Sequence, residues 1–367
     1  MTPEYRILIL GASYGSLLAT KLVLAGHQVR MVCLPLEAEI FNREGAIVRM
    51  PVKGSADLVQ IETKDFPGKL SARPPEGVEP TGYDLVALAM QEPQYRSPGV
   101  RELLDSIGRA KVPCMSIMNM PPLPYLKRIP ALDIDALRPA YIDSTVWDNV
   151  DSAFMTLCSP DPQAFRPADE KANVLQVRLP TNFKAARFES EEHTDILRRL
   201  QADIEGIRFE TESGARIELP VKLKVHESIF VPIAKWSMLL AGNYRCVRES
   251  GVRSIREAVH SDLELTRSIY AAVGEVCVSL GASEKDLVPF EKYADAALSL
   301  TSPSSAARAL ASGARDIERV DGLVQLVARQ KGFASAELDE IVGVVDSWLA
   351  ANRQKGEEPQ TEKGSSS

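Results

Sequence analysis

Four aliphatic residues in a row, Ile7-Leu8-Ile9-Leu10, run directly into Gly11. A run without polar alternation is the pattern of a parallel strand covered on both faces. Apolar positions then recur at helical spacing from Leu17 to Ala25, where Gly26 ends the stretch, and a second apolar run extends from Val29 to Leu34. Together these stretches predict a βαβ unit. Further strands are predicted from Ala46 to Met50, from Asp84 to Ala89 and from Cys114 to Met118, each behind polar or turn-forming residues. The intervening "PGKLSARPPEGVEPTG" carries enough Pro and Gly to read as a surface loop or meander.

From about 140 to 221 the pattern is mixed strands around one helix, "EEHTDILRRLQADI", with Thr194 as its N-cap. Beyond about Val225 the period becomes helical. Ile255, Val259, Leu263, Ile269, Val273, Val276 and Leu280 fall on one helix face closed by Gly281. Ile317, Val320, Val324 and Val327 repeat the stripe before Gly332, and Leu338, Ile341, Val345 and Trp348 form a third. No internal repeat is visible. The change of period predicts an α/β nucleotide-type domain over 1–221 and an all-α domain over 222–352. The last residues, "RQKGEEPQTEKGSSS", have no apolar anchor and predict a disordered tail over 353–367.

Charge narrows the partners. With 43 Lys+Arg against 50 Asp+Glu, the net charge of -7 disfavours a generic hold on nucleic acid or on an anionic membrane. Five cysteines, Cys33, Cys114, Cys158, Cys246 and Cys277, are scattered without a C-x-x-C pair, as in a chain with reduced thiols and no metal site. The start "MTPEYRILIL" lacks a basic signal-peptide region, and no apolar run reaches the ~20 residues of a membrane span. A cytoplasmic chain is expected.

The stretch after the first strand, Gly11-Ala12-Ser13-Tyr14-Gly15-Ser16, departs from G-x-G-x-x-G. In that fingerprint the first glycine turns the chain, the second admits the pyrophosphate and the third lets helix pack on strand. Gly11 holds the first place, Ser13 the second and Ser16 the third, with Gly15 in addition. Serine is small enough for both places and can donate to a phosphate oxygen, while the following helix offers its free N–H groups. A plain strand-turn-helix corner is the other reading. At the end of the second strand, where an acid grips the ribose or an arginine a 2′-phosphate, stand Leu34 and Pro35, with Glu37 and Glu39 beyond. Without a phosphate-binding charge there, NAD is favoured over NADP, although Arg43 and Lys53 are within reach in sequence.

In "VPIAKWSMLLAGNYRCV", Lys235, Leu239 and Asn243 are spaced i, i+4, i+8 and share one helix face. An ammonium among apolar neighbours is disfavoured, which favours a pKa lowered toward proton exchange. The plainer reading is a lysine whose stem covers apolar surface while its head reaches water.

Taken with the Gly11 turn, the stretches "SIMNM", "AKWSMLLAGN" and "SPSSAARALASGARDIERVDGL" occur in the order in which the ketopantoate reductase family carries its motifs, and the chain resembles that family from Arg6 to about Gly332. The resemblance implies a Rossmann-type α/β domain joined to a helical domain like the C-terminal domain of phosphogluconate dehydrogenase. It also implies an NAD(P)-dependent oxidoreductase acting on the keto or hydroxy group of a small carboxylic acid. Lys235 matches the family's catalytic lysine, which protonates the ketone oxygen as hydride arrives. Asn119 matches the asparagine that borders nicotinamide and substrate, with Met120 in place of the following glycine. Asn243 matches the second of two substrate-contacting asparagines, and the first falls on Leu239. Ser304 matches a serine for the substrate's polar end, and Asp316 falls where the family carries a glutamate near the lysine. Leu34 and Gln91 replace an expected arginine and lysine, which fits a cofactor without a 2′-phosphate. The loss of one asparagine points to a substrate other than ketopantoate. The carboxylate expected on a substrate of this family finds a candidate partner in Arg308, with Arg315 as another.

Two alternatives share these residues. His226 and Glu227 with Asp316 and Glu318 offer oxygen and nitrogen ligands for a Mg²⁺ ion of the ketol-acid reductoisomerase kind, although nothing in their spacing demands one. A non-catalytic NAD-sensing module is the other. His27 and His260 read as ordinary surface or helix residues, His193 as part of an exposed acidic segment, and "PPLPY" as a rigid loop by the nicotinamide. The helical stripes offer a surface for a homodimer.

Overall fold

The computed structural model describes residues 4–55, 57–66, 68–211 and 214–355. Its first compact unit comprises 1–134 and 143–233. At its centre lies an eight-stranded sheet in the order β14-β11-β8-β7-β6-β1-β2-β5. These strands are β1 (Arg6–Leu10), β2 (Gln28–Val32), β5 (Lys69–Arg73), β6 (Leu85–Leu88), β7 (Cys114–Ile117), β8 (Met155–Ser159), β11 (Phe183–Ala186) and β14 (Leu223–His226). Neighbours from β5 through β2, β1, β6 and β7 to β8 are parallel, and only the β8–β11 pairing is antiparallel. Ile7 to Leu10 and Leu85 to Leu88 are fully buried, as uninterrupted aliphatic strands in the middle of such a sheet must be. Helix α1 (Gly15–Leu24) follows β1, and α2 (Pro35–Glu44) follows β2. The carboxyl ends of β1, β2, β5, β6 and β7 therefore lie along one edge of the sheet, where doubly wound folds bind their ligands.

Two stretches differ from the expected pattern. The segment rich in Pro and Gly contains β5, which pairs in parallel with β2 from Gln28↔Lys69 to Val32↔Arg73. An edge strand needs only one pairing partner and tolerates exposed polar positions, so its sequence carries little alternation. The strand predicted from Ala46 to Met50 is β3 (Ile47–Met50), and it lies outside the main sheet. It joins β4 (Val59–Glu62), β9 (Gln163–Phe165) and β10 (Val174–Leu179) in a second sheet of order β4-β3-β10-β9. A two-residue pair, β12 (Phe209–Glu210) with β13 (Arg216–Ile217), makes the third.

Three helices complete the first unit: α3 (Val100–Ala110), the single turn α4 (Leu123–Leu126) and α5 (Glu191–Gly206). Ser190, not Thr194, caps α5, because its side chain accepts from the His193 N–H while Thr194 is buried inside the first turn. His27 is buried rather than on the surface, and His193 packs between the rings of Phe154 and Phe188.

The second unit comprises 135–142 and the chain from Ala234 onward. Its helices are α6 (Trp236–Met238), α7 (Ile255–His260), α8 (Leu263–Ser279), α9 (Phe290–Ala297), α10 (Ser305–Ala311), α11 (Val320–Gln330) and α12 (Ala336–Lys355). The stripe from Ile255 to Leu280 is thus two helices, since Asp262 caps a new start by accepting from the Leu265 N–H. The division falls at Ile233, beyond the expected 221, because β14 is hydrogen-bonded to β11 in the main sheet and belongs with it. Helix α12 runs through Lys355, so 353–355 are helical; the rest of the predicted tail lies outside the described residues. No helix among the described residues is long and apolar enough to cross a membrane.

Candidate functional site

The corner after β1 is built for close approach of backbone. Gly11 has φ +104°, and a Cβ there would lie 2.5 Å from Met90 Cγ and 2.7 Å from the Ala89 carbonyl oxygen at the end of β6. Only glycine takes that conformation without strain. At Gly15 a Cβ would lie 2.7 Å from Ile9 Cγ2, so Gly15 is the residue that lets α1 pack on β1. This corrects the assignment of that task to Ser16, which is buried and donates its hydroxyl to the Ser13 carbonyl at 2.9 Å. Ser13 is exposed and Ala12 buried. No side chain caps the first turn of α1, and no acidic residue stands in it, so the positive end of the helix is open to an anion. Tyr14 braces the corner: its hydroxyl donates to the Pro162 carbonyl at 2.7 Å, and burial raises its pKa well above the usual 10.

The end of β2 holds charge that spacing along the chain did not reveal. Leu34 and Leu36 are 69% and 73% exposed. Glu37 makes an ion pair with Arg166, which follows β9 and stands 129 residues away in sequence. Glu37 also accepts the Leu34 N–H at 3.3 Å. Burial, and secondarily the Glu37 carboxylate, push the Cys33 thiol up to about 12. The inference that this place lacks a positive group is therefore corrected. Gln91, after β6, is exposed, and its N–H donates to Gln94 Oε1 at 3.0 Å. Asn119, after β7, is half-buried, and its Oδ1 is enclosed without a hydrogen-bond partner. A buried amide oxygen left unpaired costs about 1–3 kcal/mol, so a donor placed there would be stabilising.

In the second unit, Lys235 closes a 3₁₀ turn, Ile233–Lys235, ahead of α6, and Leu239–Asn243 is a π-helical turn. The Tyr244 N–H reaches the Leu239 carbonyl, five residues back. Widening changes the local phase of the helix. Leu239 is 3% exposed, whereas Lys235, Met238 and Asn243 are half-buried.

Four carbonyls of the widened segment are taken by side chains. Tyr293 donates to Met238 O at 3.1 Å, Arg245 to Ala241 O at 3.2 Å, Cys246 to Gly242 O at 3.5 Å and Ser304 to Asn243 O at 2.7 Å. A Cβ on Gly242 would meet the Tyr293 hydroxyl at 1.9 Å, so that tyrosine needs the glycine. A turn that breaks the i→i−4 ladder persists only when its freed groups are satisfied, and such turns recur at functional sites.

Ser304 is buried and also caps α10 by accepting the Ala307 N–H at 3.2 Å. With its donor spent on Asn243 O, its place is that of an anchor rather than a direct substrate contact. Asp316 is paired with Arg353 at 3.0 Å. Arg308 is exposed, one turn into α10, and donates to the Pro303 carbonyl at 2.7 Å, and Arg315 is also exposed. Of the residues considered for Mg²⁺, Glu227 is paired with Arg198 at 2.7 Å and Arg187 at 3.6 Å. No group of three or more His, Cys, Asp or Glu side chains among the described residues is placed to hold a metal ion.

No protein-family model matches the chain, and no curated protein matches it in sequence. Its fold, an α/β part with a large mainly parallel sheet followed by a helical part, is shared with solved structures. The 2-dehydropantoate 2-reductase from Methylococcus capsulatus superposes with a TM-score of 0.62 at 15% identity, over 95% of this chain and 97% of the reductase. D-mandelate dehydrogenase, solved in a ternary structure with NADH and anilino(oxo)acetate, gives 0.60 at 13% identity, over 95% of this chain and 99% of the dehydrogenase. The dimeric ketopantoate reductase from Staphylococcus aureus gives 0.55 at 11% identity, over 95% and 99%.

Proposed function

We propose that the chain is a divergent relative of the ketopantoate reductases, an NAD(P)-dependent oxidoreductase acting on the keto or hydroxy group of a small carboxylic acid. The observation that carries this reading is the corner at Gly11. A positive-φ glycine pressed against the end of β6, an uncapped helix start and the orphaned Asn119 oxygen all lie at carboxyl ends of parallel strands in this fold. These groups fit a nicotinamide dinucleotide. Gly11, Ala12, Ser13 and the first N–H groups of α1 would hold the pyrophosphate, with Tyr14, Gly15 and Ser16 shaping the turn. Leu34, Glu37 and Gln91 would border the adenosine half, and Asn119 the nicotinamide.

Bound nicotinamide supplies or accepts the hydride. In the reducing direction the Lys235 ammonium would give a proton from Nζ to the carbonyl oxygen of the substrate and would be reprotonated from water once the alcohol has left. Oxidation runs the same steps backward. Help of this kind is worth ~100 to 10,000-fold in rate. Asn243 orients the substrate, Ser304 fixes the Asn243 backbone, Asp316 supplies negative charge to the site, and Arg308 meets the substrate carboxylate. Because a leucine, Leu239, stands where the family has an asparagine, the substrate is less polar beside its carbonyl than ketopantoate. NAD is the favoured cofactor, and the assembly is a homodimer, a reading supported by the dimeric state of the Staphylococcus aureus reductase.

The test is incubation of the pure protein with NAD(H) or NADP(H) and a panel of 2-keto and 2-hydroxy acids, followed at the reduced-nicotinamide absorbance band. Turnover with an apolar 2-keto acid is expected. Absence of turnover together with cofactor binding would leave an NAD-sensing module, and loss of rate on chelation would move the reading to metal-assisted chemistry.

A further inference from the structure

The pair at the end of β2 has an arrangement that motif spacing does not supply. Glu37 comes from α2, Arg166 from the chain just after β9 in the second sheet, and their side chains are 18% and 25% exposed. One Glu37 oxygen faces Arg166 Nη1 and the other accepts the Leu34 N–H. Arg166 Nη2 is enclosed and makes no hydrogen bond. Two apolar side chains, Leu34 and Leu36, stand exposed beside the pair. The first residue of α2 is Pro35, so this carboxylate lies in the helix's opening turn. Apolar faces for a flat base, next to a fixed carboxylate at the carboxyl end of β2, form a setting for the adenosine end of a dinucleotide.

We propose that the Glu37–Arg166 pair reads the 2′ position of the cofactor's ribose: Glu37 accepts from a 2′-hydroxyl and repels a 2′-phosphate, while Arg166 holds Glu37 in place and is kept by it from serving as a phosphate ligand. This rests on the reading that the chain binds a nicotinamide dinucleotide. The pair is therefore a selectivity switch. Its carboxylate favours NAD(H), and neutralising that carboxylate unmasks a guanidinium whose fork geometry suits phosphate.

Calorimetric titration of the full chain with NADH and with NADPH, at low and at physiological ionic strength, tests it without turnover. The wild type is expected to bind NADH at least tenfold more tightly. Glu37→Gln keeps the size of the side chain and an oxygen for the Leu34 N–H. It is expected to shift the affinity ratio at least tenfold toward NADPH, and the shift should shrink with added salt because it is electrostatic. Adding Arg166→Met to Glu37→Gln should abolish the gain in NADPH affinity. A wild type that prefers NADPH, a Glu37→Gln ratio within twofold of wild type, or an NADPH gain that survives Arg166→Met would each overturn the assignment while leaving cofactor binding standing. Failure of the wild type to bind either dinucleotide would remove the underlying reading, and the assignment with it.

Discussion

Two lysines in two parts of the molecule show how little burial says about chemistry. Lys21 lies in the second half of α1, 1% exposed, with its Nζ donating to the Pro220 carbonyl, and burial lowers its pKa to about 7. Lys235 is half-buried beside a π-helical turn, three of whose carbonyls, with that of Met238 just before it, are held by side chains. By pKa alone Lys21 is a candidate base. Yet it sits one and a half turns or more from the start of the helix, enclosed by the core of the first unit and bonded to backbone. Position in the fold, not perturbation, separates the two: Lys21 ties a helix to the strand-lined core, and Lys235 stands at an open, over-determined irregularity.

The largest effect that can break this contrast is kinetic. Lys235→Ala is expected to cut turnover by ~100 to 10,000-fold while leaving dinucleotide affinity within a factor of about three. Near-normal turnover would end the role given to Lys235. Next in size, Gly11→Ala forces a Cβ to within 2.5 Å of Met90 Cγ at a φ of +104°. Strain of this kind costs about 1–3 kcal/mol. The variant should lose dinucleotide affinity tenfold or more, read by calorimetry, with denaturant unfolding reporting the stability share. A Gly11→Ala chain that binds cofactor normally would show that the corner serves packing alone.

The βαβ start was legible because four aliphatic residues ending in Gly11 admit few other structures, and the helical second half because its stripes are long. The edge strand β5 was hidden, since a strand exposed on one side needs no alternation. Ser304, Asn119 and Lys235 could be picked out by order along the chain, but their environments could not. The π turn depends on hydroxyl, thiol and guanidinium donors from Tyr293, Cys246, Arg245 and Ser304, up to 61 residues from their acceptors. Arg166 escaped notice for the same reason, being placed beside Glu37 by the pairing of a second sheet whose membership no local pattern encodes.

Lys21 offers the next test. Its folded pKa of about 7 lies below the 10.5 of an ordinary lysine, so the native state binds fewer protons than the unfolded state in the window from 7 to 10.5. Stability carried by this group therefore rises as pH increases through that window, and the full penalty applies below it. Replacing it by methionine removes the titration. The stability difference, Lys21→Met minus wild type, is expected to fall by about 1 kcal/mol per pH unit from pH 8 to pH 10 in denaturant titrations. Parallel pH profiles for the two proteins would mean that Lys21 is not held neutral, and that the contrast with Lys235 rests on exposure alone.

The smallest effect separates an anchor from a ligand at Ser304. As a cap and as the donor to Asn243 O at 2.7 Å, its hydroxyl is worth about 1 kcal/mol, or a few degrees in Tm. Ser304→Ala should lose that stability and raise the KM for the keto acid several-fold, because the Asn243 backbone is released. Ser304→Asp still accepts the Ala307 N–H and should regain the stability, but a carboxylate cannot donate to the Asn243 carbonyl, so the KM defect should remain. Ser304→Thr keeps both bonds and should restore both values. A serine that touched substrate directly would behave otherwise: Ser304→Ala would raise KM without moving Tm. That outcome would return Ser304 to the role its place in the sequence first implied and would leave the π turn held by Tyr293, Arg245 and Cys246.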